Sequence, residues 1–294
     1  MSWASKLAKP YRIENGKDFR LKDFDPEKTG KLHSKERALK LLEKGIAQMA
    51  ELQNKLYAQD RWALLIIFQA MDAAGKDGAI QHVMSGVNPQ GCQVYSFKAP
   101  SSEELNHDYM SRAMQRVPER GHIGIFNRSY YEEVLVVRVH PAVLHTERIP
   151  PSLLGKNLWE ERFEDIAAFE RYLARNGVAV RKFFLNLSKN EQKKRFLERL
   201  DTPQKNWKFS AADIHEREYW DDYMHAYEEM IRSTSSTNAP WYVVPADNKW
   251  FTRVVVAAAI VETLEELDLT YPKLEPKERK TLAEARALLL GKKP

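Results

Sequence analysis

The sequence predicts an α/β fold: a mostly parallel sheet with helices on both faces. Three observations carry that prediction. Short apolar runs such as WALLIIF (62–68) and HIGIF (122–126) lack alternation, which marks strands buried on both faces. Amphipathic stretches of helical period separate these runs, and that alternation of strand and helix is the pattern of a parallel sheet. No repeat, low-complexity tract or convincing linker interrupts the chain, so one body is expected over 34–294.

Residues 1–33 are charged, carry Gly and Pro, and show no strong period; they are expected to form an arm over the body. Ser34 is an expected N-cap for a helix reaching about Asp60, with Leu39, Leu42, Ile46, Met49, Leu52 and Leu56 on one face. WALLIIF follows as a buried strand, and FQAMDAAGKDG (68–78) turns from it into a helix ending near Gly86. CQVYSF (92–97) reads as a second strand, SEELNHDYMSRAMQRV (102–117) as a helix, and HIGIF as a third strand. A helix from about Tyr130 to His140 comes next, then a long one from about Asn157 to Asn176, stopped by Gly177. VAVRKFFL (178–185) and WYVVP (241–245) complete the strands. Charged amphipathic helices at about 189–200 and 210–232 lie between those two strands, giving a helical insertion over about 188–232. A helix at about 250–267 and a short C-terminal one close the chain.

The 294 residues suffice for a substantial core, and 43% hydrophobic content is that of a globular chain. A net charge of +5 is compatible with an anionic ligand without demanding one. The lone Cys92 excludes an internal disulfide framework and reads as buried strand filler. No N-terminal apolar run resembles a secretion signal, and VVVAAAIV (254–261) is far too short to span a bilayer, so a cytoplasmic location is expected. The histidines show no metal-ligand spacing, so no zinc site is expected.

FQAMDAAGKDG is the segment that carries chemistry. A phosphate-binding loop follows a buried strand, opens a helix and places glycines where backbone approaches an anion. Here Gly75 and Gly78 flank Lys76 after LLIIF. Backbone N–H groups from Ala73 to Gly78 then form an anion nest, with Lys76 adding a point charge. The first Gly of the usual signature is Ala70, and the hydroxyl after the lysine is Asp77. Because that hydroxyl normally holds Mg²⁺, the metal duty is expected to move to Asp72, four residues before Lys76. The competing interpretation is an ordinary Gly-containing strand–helix turn.

HIGIFNRSYYEEV supplies a second half. Its strand ends in Asn127-Arg128-Ser129, at the sheet edge where ligands bind in open α/β folds. Arg128 is a planar fork suited to phosphate, and Ser129 is a helix cap. Either Glu132 or Glu133 could face the site, or both could serve only the helix dipole.

Together, FQAMDAAGKDG and IFNRSYYEEVLVVRVH resemble the two phosphate-site motifs of the polyphosphate kinase 2 family, and KNEQKKRFLERLDTPQKNWKFSAAD (189–213) resembles its lid. The resemblance implies a thymidylate kinase-like, P-loop kinase-like fold and a Mg²⁺-dependent site, with Mn²⁺ as a substitute. The implied reaction moves phosphate between inorganic polyphosphate and nucleotides. Asn127, where many members have Asp, looks like the class III subgroup, which phosphorylates both AMP and ADP and so makes ATP. The resemblance further implies Asp72 as the main metal carboxylate, with Asn127 near the metal or the acceptor. Lys76 and Arg128 would hold the transferring phosphates, and Glu132 would mark the acceptor side. Arg195, Arg199 and Lys208 would close over the anion.

Arg112 on the 102–117 helix could reach an acceptor phosphate or form a surface ion pair, and Glu133 remains a candidate beside it. Trp207, Trp220 and Tyr223 are expected to pack the lid helices. The Leu-rich 34–60 helix is expected to serve as core or as a contact between copies, hence a homo-oligomer. Two other functions compete. One is an ATP-dependent nucleoside monophosphate kinase, which the missing hydroxyl after Lys76 disfavours. The other is a non-catalytic polyanion or nucleic-acid binder, which has no use for Asp72 beside a phosphate loop.

Overall fold

A computed structural model describes residues 1–291. The strands are β1 (Arg12–Ile13), β2 (Ala63–Gln69), β3 (Cys92–Ser96), β4 (Ile123–Asn127), β5 (Val178–Asn186) and β6 (Trp241–Pro245). They form one sheet in the order β1-β6-β5-β2-β4-β3. The five from β2 to β6 pair in parallel, and β1 adds antiparallel to β6. The arm is therefore part of the sheet as well as a cover for it. It also begins with α1 (Trp3–Ala8), whose Ala4 and Ala8 are fully buried.

From β2 the chain builds first to one side, through β3 and β4, and then to the other, through β5 and β6. That reversal puts a crevice beyond the carboxyl end of β2. β2, β5 and β6 are buried at every residue, as helices on both faces require.

On one face lie α1, α2 (Lys35–Gln59), α3 (Lys76–Val83) and α11 (Lys249–Glu266), whose apolar sides form one core with Leu64, Ile66 and Phe68 of β2. On the other lie α7 (Leu158–Arg175) and α10 (Trp220–Thr234), packed on Leu65, Ile67, Val180 and Phe184. Ser34 caps α2 by accepting from Arg37 N. Asp60 ends α2 in a left-handed conformation. The buried face of α2 is Ala38, Leu42, Gly45, Met49, Gln53 and Leu56; Leu39, expected there, is exposed. β5 carries Arg181 and Lys182 side by side, and the two-residue period sends them to opposite faces, Arg181 to Thr263 and Lys182 to Glu170.

Three expected helices are broken. Residues 102–117 hold only a 3₁₀ turn (Glu104–Asn106) and α4 (Ser111–Met114). The break is local competition: the Asp108 carboxylate accepts from Met110 N and Ser111 N and so starts a new turn. Residues 130–140 form a 3₁₀ segment (Tyr130–Val134), then α5 (Val136–Val139), with Leu135 outside helical geometry. α6 (Pro141–Leu144) follows it. The insertion begins with α8 (Lys189–Asp201) as expected, but 210–232 divides into α9 (Ala211–His215), a 3₁₀ turn (Glu216–Tyr219) and α10. Trp220 and Tyr223 are buried as expected, whereas Trp207 is exposed, with Lys208 Nζ over its ring. α12 (Pro276–Leu289) ends the described chain. No helix among the described residues is long and apolar enough to cross a membrane.

Candidate active site

The loop after β2 is shaped by two left-handed residues, Ala73 (φ 63°) and Gly75 (φ 102°). The second is a conformation that favours Gly, and it turns the chain into the first turn of α3. The first N–H groups of a helix have no partner within it, so those of α3 are available to an anion. Lys76 opens α3. Its Nζ donates to the carbonyl of Ala70 at 2.8 Å, and the side chain is nearly buried. Burial lowers its pKa, and Asp72 opposes that fall.

β4 delivers the second half. Arg128 N donates to Phe68 O, tying the end of β4 to the end of β2. Arg128 itself is left-handed (φ 63°), an uncommon state for a residue with a side chain and one that clusters at functional sites. Its guanidinium lies between two carboxylates. Nη2 donates to Asp72 Oδ1 at 2.8 Å, and Nη1 to Glu132 Oε2 at 3.2 Å. Burial raises the Glu132 pKa, with Arg128 and Lys76 opposing the shift. Ser129 caps the following turn by accepting from Tyr131 N. Asn127 Nδ2 donates to Asp77 Oδ1 at 2.7 Å, so the residue that replaces the usual loop hydroxyl is tied to the end of β4.

Three cavities meet around this arrangement. The central one, about 470 Å³, is lined by Asp72, Lys76, Asp77, Asn127, Arg128 and Lys98, with Arg199 and Lys208 above. A second, about 210 Å³, continues behind the loop and shares Arg199 and Lys208; Lys205, Lys249 and Arg253 complete its basic wall. A third, about 230 Å³, opens on the other side of Arg128 and Glu132, with Leu105, Val136, Val137 and Val143 among its apolar walls. Arg112, Glu133 and Glu147 also line it.

The structure thus brings Asp72, Lys76, Asn127, Arg128 and Glu132 together. Arg199 and Lys208 overhang the loop. Arg112 reaches the third cavity, where it donates to Lys98 O at 2.7 Å and stacks on Phe97. Glu133 turns to Arg162 (3.0 Å) rather than to Arg128.

Arg195, expected at the anion, has a different job. Its side chain is 5% exposed and all five N–H groups are used. Nη1 donates to Ala73 O and Ala74 O, Nη2 to Ala246 O and Asp247 O, and Nε to Glu191. It pins the back of the loop and has no donor left for a phosphate. Sequence reasoning missed Lys98, Lys205, Lys249 and Arg253, which come from three separate segments, the last two from one turn of α11, and form no run in the sequence.

Among the described residues no group of three or more His, Cys, Asp or Glu could enclose a metal. What the site offers is the hard oxygen of Asp72 that Arg128 leaves unused. This suits Mg²⁺ held by one or two carboxylates, water and substrate phosphates.

Comparison with known proteins points to one family and one fold. The family described as Polyphosphate kinase 2 (PPK2) matches residues 32–272. An ADP-polyphosphate phosphotransferase of Rhodopseudomonas palustris is 52% identical over 283 residues, 96% of this chain and 98% of that one. An AMP/ADP-polyphosphate phosphotransferase of Meiothermus ruber is 44% identical, over 94% of this chain and 100% of that one. The crystal structure of Polyphosphate Kinase 2 from Arthrobacter aurescens TC1 superposes with a TM-score of 0.89 at 40% identity, covering 99% of each chain.

Proposed function

The chain belongs to the polyphosphate kinase 2 family, and on that premise we propose that it transfers the terminal phosphate of inorganic polyphosphate to AMP and ADP, reversibly. One observation carries the reading. Lys76, Asp72 and Arg128 line a central cavity that shares Arg199 and Lys208 with a basic cavity, and Arg128 and Lys98 with a cavity of largely apolar walls. The basic cavity suits a polyanion and the apolar one a nucleotide. An ATP-dependent monophosphate kinase would have no use for the basic extension past Lys205, Lys249 and Arg253.

Phosphoryl transfer needs positioning and charge stabilisation more than covalent chemistry. A nucleotide phosphate oxygen is already ionised at neutral pH, so no general base is required. The nest at Gly75–Gly78 and Lys76 hold the end of the donor chain. Arg128, fixed by Asp72 and Glu132, presents its fork to the phosphates on the acceptor side. Asp72 would hold Mg²⁺, helped by the amide oxygen of Asn127, whose nitrogen is engaged with Asp77. When bound, that ion supplies positive charge shared among phosphate oxygens. The 188–232 segment serves as a lid. Gln192 of α8 donates to Asp72 O and so joins this segment to the loop.

The test is incubation with polyphosphate, Mg²⁺ and AMP, followed for ADP and ATP, beside a parallel assay with ATP as donor. Lys76→Ala and Asp72→Ala are each expected to lower turnover by at least about 10²–10³-fold with the fold intact by circular dichroism. Near-wild-type rates in either variant, or preference for ATP as donor, would refute the reading.

A further inference from the structure

Three successive carbonyls of the phosphate loop are held by one helix. Arg195 of α8 donates to Ala73 O and Ala74 O, and Gln192, one turn earlier, donates through Nε2 to Asp72 O at 2.9 Å. A planar trans peptide points its C=O and N–H in opposite directions. Holding these carbonyls at α8 therefore turns the N–H groups of Ala73, Ala74 and Gly75 away from α8. The Asp72–Ala73 peptide also fixes the residue whose carboxylate pairs with Arg128, and Gln192 is its tie to α8.

The other end of Gln192 is engaged as well. Arg217, in the 3₁₀ turn Glu216–Tyr219, donates through Nη1 to Gln192 Oε1 at 2.6 Å and to Lys189 O at 3.1 Å. A guanidinium only donates and a carbonyl only accepts. A side chain set between them must accept at one end and donate at the other. An amide does both; a carboxylate or a thioether does not. The turn is fixed in its own right. Glu216 Oε2 accepts from Tyr223 OH at 2.6 Å and lies 2.9 Å from Nε2 of His140, directly after α5. Contacts thus run from the segment after β4, through the insertion, to the loop after β2. Gln192 is 1% exposed, and neither it nor Arg217 lines any of the three cavities, so neither touches substrate there.

We infer that Gln192 is a positioning residue: it sets the Asp72–Ala73 peptide, and Arg217 sets Gln192. The insertion then does more than cover the anion. The loop holds its catalytic geometry only while the Glu216–Tyr219 turn is seated.

This inference rests on the phosphotransferase reading, and its test separates the two. The unaltered protein, Gln192→Met, Arg217→Met and the double variant are compared in the transfer from polyphosphate to AMP with Mg²⁺, with rates referred to folded protein by circular dichroism. Methionine keeps most of the length of either side chain and drops its hydrogen bonds. Each single variant is expected to lower kcat about 10–100-fold, the effect of a small misplacement of reacting groups. The KM values for AMP and polyphosphate should stay within about threefold, because the lost contact is not one to substrate. Arg217 acts through Gln192, so the double variant should be no slower than Gln192→Met. Arg217→Lys keeps one donor for Gln192 and should recover most of the rate. Arg217 is partly exposed, so its methionine variant is expected to fold and decides the matter even if Gln192→Met does not. An unaltered kcat in Arg217→Met, a loss expressed in KM instead of kcat, or single effects that multiply in the double variant would overturn the inference and leave the phosphotransferase reading standing. If the unaltered protein makes no ADP from polyphosphate, that reading falls and takes this one with it.

Discussion

Replacing Arg195 by Met separates a structural arginine from one that touches substrate. The buried guanidinium makes five hydrogen bonds, to the carbonyls of Ala73, Ala74, Ala246 and Asp247 and to Glu191. Methionine approximates its length and packing but satisfies none of them. An unsatisfied buried carbonyl costs about 1–3 kcal/mol, so four would cost about 4–12 kcal/mol if none found water. The second basic cavity borders the loop carbonyls and lets solvent reach them, which favours the low end. Breaking a buried charged contact typically costs about 3–5 kcal/mol, and that range is expected here. In thermal unfolding it corresponds to a midpoint lower by about 6–10 °C at roughly 2 °C per kcal/mol. Turnover should fall with it, because Ala73 and Ala74 belong to the phosphate nest. Arg195→Lys should recover part of the stability, since an ammonium can serve some of the carbonyls but not both pairs at once. The assay is urea or thermal unfolding beside steady-state kinetics. An unfolding midpoint unchanged in Arg195→Met, with only the KM for polyphosphate raised, would refute the structural assignment and return Arg195 to the anion.

Two further outcomes are expected. Lys182 and Glu170 form a fully buried pair at 2.5 Å, and Tyr130 and Tyr131 also donate to Glu170, anchoring the turn that follows Arg128. Glu170→Leu alone should destabilise by about 3–5 kcal/mol, and the double change with Lys182→Leu by clearly less, because no lone charge is left buried; a double-mutant cycle in urea checks this. Cys92, expected as buried filler, is only half-buried, and that partial burial raises its pKa to about 11. Its thiolate fraction at neutral pH then lies about two orders of magnitude below that of a free cysteine. A disulfide reagent should therefore titrate Cys92 slowly in the folded protein and rapidly in urea; equal rates would contradict the burial.

The strands, the loop and the long helices α2, α7, α8 and α11 were legible because each is specified locally. An apolar run, a Gly after a lysine, or a Ser before a periodic stretch acts over a few residues, and the chain carries that information in order. The helices over 102–117, 130–140 and 210–232 were misread for a related reason. Their periodicity was adequate, but single competitors such as the Asp108 carboxylate outbid the helical hydrogen bonds in short segments. Trp207 was assigned to packing by its type alone, and type does not say which side of a turn faces out.

By itself the sequence determined the α/β class, the phosphate loop around Lys76, and the pairing of Asp72 with a second motif at Asn127-Arg128. These follow from residue types at short spacing. Only the tertiary structure decided which cations face an anion and which hold the protein together. Arg195 and Arg199 share a helix face four residues apart, yet one is buried on four carbonyls and the other overhangs a cavity. It also brought Lys205 of the insertion to one wall with Lys249 and Arg253 of α11. The reason is that a guanidinium or carboxyl takes its role from what lies within hydrogen-bonding distance, and those neighbours are chosen by packing across the sheet rather than by position along the chain.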